Sequence, residues 1–159
     1  MSPLNHFLQT DGILHVAPDG HMHAGAPPPP ALLPGSFNPL HDAHCELARV
    51  AERMLGHPVA FELSVANVDK PTLDAAEIRR RVAQFAWRTS IWLTHAPKFV
   101  DKSEHFPGVT FVVGADTAMR VVSPRYYDAD ESRMRSALEK LGALAVFWWR
   151  AGSLGRDNV

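Results

Sequence analysis

Five short apolar runs, separated by segments with helical spacing, limit what this chain can fold into more than any other feature. They are "ALLPGSF" at 31–37, "HPVAFELSV" at 57–65, "SIWLT" at 90–94, "GVTFVVGAD" at 108–116 and "ALAVFWW" at 143–149. Four of the five are near-continuous rather than alternating, the pattern of strands covered on both faces. Between the first two, Leu47, Val50, Ala51, Met54 and Leu55 recur at the spacing of a helix with one buried face. Gly56 is its stop. Asp74 and Glu77 read as a capping box opening a second helix, in which Ile78, Val82, Phe85 and Ala86 share a face. Arg79, Arg80 and Arg81 fall on other faces and read as a solvated surface. Segment 96–106 is a short helix or loop. "TAMRVV" continues as a helix that Pro124 closes, and Met134, Leu138 and Leu141 mark a last helix stopped by Gly142. Of Trp148 and Trp149, one is expected in the core and the other toward the opposite layer. Strands alternating with helices imply right-handed crossovers. The expected fold is a three-layer α/β domain over 31–159, a mostly parallel five-stranded sheet flanked by helices.

Residues 1–30 read differently. Asp11-Gly12 and Asp19-Gly20 are turn signals, and "APPPP" at 26–30 is incompatible with a helix interior. The expectation is an irregular extension containing at most a short hairpin. His21 and His23 give half of a metal site, with no two further ligands evident nearby.

Composition removes several classes of function. Sixteen Lys and Arg against 17 Asp and Glu give a formal charge of −1, so no global basic field argues for nucleic acid as main partner. The single cysteine, Cys45, precludes an intrachain disulfide framework. There is no secretory leader pattern and no apolar stretch near the ~20 residues of a membrane span. A cytoplasmic protein is expected. The sequence leaves its oligomeric state open.

One stretch, "LLPGSFNPLHDAHCELA" at 32–48, sets two imidazoles three residues apart where a strand hands over to a helix. In an open parallel sheet, ligands collect beyond the carboxyl ends of the strands, at the switch point of strand order. Gly35 permits a tight turn and close approach of backbone to a ligand. The free N–H groups that follow, with the start of a helix near His41, favour an anion. His41 and His44 each add an N–H donor, and pyrophosphate is the simplest ligand that satisfies all of these groups. His41, His44 and Cys45 also have the composition of a metal site, although helical geometry directs Cys45 away from the line joining the histidines. No metal site is expected. Purely structural histidines are the other alternative.

"GSFNPLHDAH" resembles the signature of the nucleotidyltransferase superfamily that includes the nicotinamide- and nicotinate-mononucleotide adenylyltransferases. That signature is a Gly-[Ser/Thr]-Phe-[Asn/Asp]-Pro turn followed by His-x-Gly-His. "FELSVANVDKPTL" and "FPGVTFVVGADTAMRVV" are similar to later blocks of such domains, so that the resemblance covers about 31–150. It implies a Rossmann-like fold and a reaction of NAD biosynthesis. A nucleoside monophosphate, AMP from ATP, passes to a mononucleotide such as nicotinamide mononucleotide, and pyrophosphate leaves. It implies His41 and His44 as the catalytic pair, with backbone at Gly35, Ser36 and Phe37 lining the nucleotide. Gly114 and Asp116 would contact the nucleotide, and Lys70 would reach a substrate phosphate. Mg²⁺ would accompany the triphosphate. Lys70 as a solvated side chain and Asp116 as a helix cap are the plainer readings.

Two departures stand out. Ala43 replaces the glycine of His-x-Gly-His, and a methyl group there narrows the space for a base. The family's second signature, an Ile-Ser-Ser-Thr-like turn followed by an Arg, belongs after the fifth strand, where this sequence runs "RAGSLGRDNV". Either the sequence is a fragment, or the expected domain lacks that half of its phosphate clamp. A nucleotide-binding module without turnover is the alternative reading, and a partner-binding scaffold without nucleotide affinity is the third.

Overall fold

A computed structural model describes residues 1–140 and 143–147. The five apolar runs form the five parallel strands expected: β3 (Ala31–Pro34), β4 (Val59–Ser64), β5 (Ile91–Thr94), β6 (Thr110–Gly114) and β7 (Ala143–Phe147). The sheet is wider than those runs alone. β1 (Leu14–Val16) and β2 (Met22–His23) make an antiparallel hairpin, and β1 pairs antiparallel with β5, giving seven strands in the order β2-β1-β5-β4-β3-β6-β7. The fold is Rossmann-like, with seven strands among the described residues in place of the expected five.

The expectation of an irregular stretch over 1–30 is corrected with it. Besides the hairpin, Pro3–Leu8 forms a helix, α1, with Ser2 capping it through the N–H of Asn5 at 3.2 Å. Leu4 and Phe7 of α1 and Leu14 and Val16 of β1 are buried in the main core. Alternate apolar residues of a three-residue strand carry too weak a periodic signal to be read locally, but they suffice for β1 to seal the edge of β5.

Side chains alternate strictly across the sheet. Ala31, Leu33, Phe61, Ile91, Leu93 and Val112 join one core, while Leu32, Ala60, Trp92 and Phe111 join the other. Both faces are therefore covered, which is why these strands read as continuous apolar runs. The covering helices are α2 (Asp42–Leu55), α3 (Ala75–Val82), α4 (Phe99–His105), α5 (Ala115–Val121) and α6 (Glu131–Lys140). Gly56, at φ 76°, ends α2 as expected. Asp74 caps α3 by accepting from the N–H of Glu77 at 2.8 Å. The reciprocal half of the box is absent: the Glu77 carboxylate turns instead to Arg80 and Arg81. Leu141, Gly142, Trp148, Trp149 and segment 150–159 lie outside the described residues, as does any phosphate-clamp segment there. No helix among the described residues is long and apolar enough to cross a membrane.

One polar cluster lies inside this apolar frame. Glu62, on β4, is wholly buried, and Lys102, on α4, is 5% exposed. The Lys102 ammonium donates to both carboxylate oxygens of Glu62 at 2.9 Å and to the carbonyl of Ala96 at 2.7 Å, which uses all three of its protons. Thr94 donates to the same carboxylate at 2.6 Å. The backbone carbonyl of Glu62 accepts the N–H of Gly35 at 3.0 Å. One residue thus ties the loop after β5 to the turn after β3.

Candidate functional site

From β3 the chain proceeds to β4 and β5 on one side, then crosses back to β6 and β7 on the other. The strand order reverses between β3 and β6, and a cleft of about 400 Å³ opens there. Its walls come from the turn after β3 (Pro34, Gly35, Ser36), the first turns of α2 (Ala43, His44, Leu47), the end of β6 (Val112, Val113, Gly114) and the start of α5 (Ala115, Asp116, Thr117). Four of the expected site residues, Gly35, Ser36, Gly114 and Asp116, meet His44 around one cavity.

His41 is the N-cap of α2, and its backbone N–H donates to Nδ1 of His44 at 3.0 Å. The two rings stack 5.6 Å apart. A ring nitrogen that accepts carries no proton, so neutral His44 holds its proton on Nε2 and remains a donor. Half-burial, and secondarily the nearby His41, lower the pKa of His44. At neutral pH, His44 is therefore an uncharged donor beside the orphan N–H groups of a 14-residue helix. His41 is exposed and does not itself wall the cleft.

The lowered value has a consequence for stability. With a folded pKa held below the ordinary 6.5, the unfolded chain binds more protons, so the linked stability is complete above that value and falls as pH drops through it. His15, lowered by burial and by His23, acts in the same direction. Thermal midpoints of the wild type are expected to fall on acidification from pH 7 to about 5. His44→Gln keeps an acceptor for the His41 N–H and is expected to remove part of that slope. An identical slope in the variant would take His44 out of the linkage.

Gly35 and Phe37 have roles that the motif alone does not give. The resemblance puts the backbone of Phe37 at the nucleotide; its ring is buried, edge-on to Phe61, Phe85 and His44 with centroids 5.1–5.4 Å away, and does not wall the cleft. Its backbone lies in the left-handed region at φ 48°, which reverses the chain sharply while sending the ring inward. A Cβ on Gly35 would come within 2.7 Å of that ring. Gly35→Ala must therefore displace an aromatic held by three neighbours, and we expect it to cost ~1–3 kcal/mol in denaturant unfolding. Unchanged stability would show that the ring has room to yield.

Lys70 is exposed in the loop after β4, on the same edge of the sheet, and does not wall the cleft. Gly114, rather than Asp116, is the N-cap of α5. Asp116 sits in the first turn of α5, exposed and without a side-chain hydrogen bond among the described residues, so it is not the cap of that helix. Cys45 is half-buried, and no three His, Cys, Asp or Glu side chains among the described residues are placed to hold a metal.

The residues that hold the turn are not evident from the sequence. Arg80, Arg81 and Gln84, from α3 and the 3₁₀ turn after it, all bond to residues 36–40. The side chain of Arg81 is only 12% exposed, so the arginine run is not the uniformly solvated face expected. No local periodicity signals contacts across more than forty residues; only the excess of hydrogen-bonding groups around an apolar motif hints at them.

Against known families, the one described as cytidylyltransferase-like matches residues 32–145, most of the chain and the whole span from β3 into β7. The chain belongs to the cytidylyltransferase-like family. Family membership carries a nucleotidyltransferase-type activity on nucleotide substrates. No curated protein and no solved structure matches the chain. This cytidylyltransferase-like domain places its cleft where the switch-point rule puts a nucleotide.

Proposed function

We propose that this chain transfers a nucleoside monophosphate, most simply AMP from ATP, to the phosphate of a mononucleotide such as nicotinamide mononucleotide. The observation that carries the reading is the meeting of Gly35, Ser36, His44, Gly114 and Asp116 around one switch-point cleft. An oxygen of the acceptor phosphate attacks the α-phosphorus in line, the bond to the bridging oxygen breaks, and pyrophosphate leaves. Such a reaction asks for placement and charge stabilisation rather than covalent help. In this reading, His44 donates from Nε2 to a non-bridging oxygen of the α-phosphate. His41, stacked on it, keeps its ring in place and faces the entering phosphates. The turn at Gly35 and Ser36 admits the nucleotide close to backbone, Gly114 does the same opposite, and Asp116 accepts from a hydroxyl or amine of the nucleotide. Lys70 lies on the same edge and meets the acceptor phosphate from outside the cleft.

Among the described residues that wall the cleft, Asp116 is the only carboxylate. A lone carboxylate suits Mg²⁺ carried in by the triphosphate and held mainly by phosphate and water. The ion supplies charge neutralisation on the phosphates when bound.

The decisive assay is pyrophosphate release with Mg²⁺, nicotinamide mononucleotide and either ATP or CTP. Release with ATP supports the proposal as stated, and release with CTP alone reassigns the donor. Calorimetric binding of a non-hydrolysable triphosphate without release points to a nucleotide-binding module. Neither binding nor release removes the proposal.

A further inference from the structure

The turn after β3 is held from the side opposite the cleft. Arg81 donates to the carbonyl of Ser36 at 3.0 Å, and Gln84 donates to the carbonyl of Phe37 at 2.7 Å. The side-chain oxygen of Gln84 accepts the N–H of Leu40 at 2.7 Å, closing the clasp from the far end of the turn. Arg80 reaches Asn38 Oδ1 at 2.6 Å. Both arginines are anchored by Glu77, whose carboxyl they pull down to a pKa of about 2, so the anchor stays charged at any working pH.

A planar trans peptide points its N–H opposite to its carbonyl. With the carbonyls of Ser36 and Phe37 drawn toward α3, the N–H groups of Phe37 and Asn38 face away from it. Neither N–H has an acceptor among the described residues. The cleft is walled by Pro34, Gly35 and Ser36 of the same turn and by β3, β6, α2 and α5, with no residue of α3, and Phe37 and Asn38 follow directly after that wall in the chain. We propose that Arg81 and Gln84 are positioning residues that orient two peptide units of the turn, so that their N–H groups receive a phosphate of the nucleotide. This rests on the nucleotide-binding reading of the cleft. It assigns to α3, which touches no ligand, the task of keeping the turn's donors outward and its carbonyls away from the anion.

The test uses the full chain, inorganic pyrophosphate with Mg²⁺ as probe, and the backbone amide resonances of Phe37 and Asn38 as readout. In the wild type, these two amide protons are expected to shift on titration. Gln84→Glu keeps the acceptor for Leu40 but loses the donor to Phe37. Arg81→Lys keeps the charge but cannot span both Glu77 and Ser36. Each is expected to weaken pyrophosphate binding about tenfold and to abolish the shift at its own peptide. If Gln84→Glu fails to fold, Arg81→Lys carries the comparison. Wild-type binding that leaves both amides unmoved, or variants that bind as tightly as wild type, would overturn the positioning role while leaving the cleft's function intact. A wild type that binds neither pyrophosphate nor a nucleoside triphosphate would overturn both.

Discussion

His44→Ala is expected to lower the rate of pyrophosphate release at least a hundredfold, with little change in the unfolding midpoint. In the proposed reaction, the rate effect follows from what is lost: an N–H donor aimed at charge that grows in the transition state, in a part-desolvated site. Removing one such donor in other enzymes costs ~10²–10³ in turnover. The small stability effect follows from geometry. The ring is half-buried, and its one polar link among the described residues is to the N–H of His41, at the exposed start of α2. His41→Ala, which removes a stacked neighbour outside the cleft walls, should cost less. A His44→Ala enzyme with unchanged turnover would show that the histidine only caps its helix.

The largest stability effect should come from Lys102→Met. It leaves the wholly buried Glu62 carboxylate with the Thr94 hydroxyl as its remaining partner and no compensating charge. Breaking a buried pair from one side costs ~3–5 kcal/mol, whereas removing both charges is often close to neutral. The midpoint of denaturant unfolding should fall accordingly in Lys102→Met. It should recover by at least half when Lys102→Met is combined with Glu62→Gln, because the amide oxygen introduced there still accepts from Thr94. Because the Glu62 carbonyl also holds Gly35, the single variant should weaken nucleotide binding as well. A single variant as stable as wild type would mean that water reaches the pair.

The two kinds of residue in these predictions are not equally visible before folding. His44 is legible: an imidazole three residues after another, on a turn closing an apolar run, is a local pattern. The Glu62–Lys102 pair is not, since each residue sits in a segment that reads satisfactorily without the other, forty residues apart. Gln84 and Arg81 escape for the same reason. Phe37 is visible as part of the motif, but sequence does not tell which way its side chain leaves the turn. Its positive φ and the space between Phe61 and Phe85 send it inward.

The amino-acid sequence alone determined the five parallel strands, the helices between them and the position of the histidine turn. Each of these depends on burial periodicity or turn chemistry within a dozen residues. Only the tertiary structure decided that the N-terminal hairpin seals the sheet edge, that Phe37 belongs to the core and that α3 grips the turn. Those outcomes depend on which surfaces meet across long stretches of chain, where a hydrogen bond or an apolar contact is worth forming only after the sheet has brought its partners together.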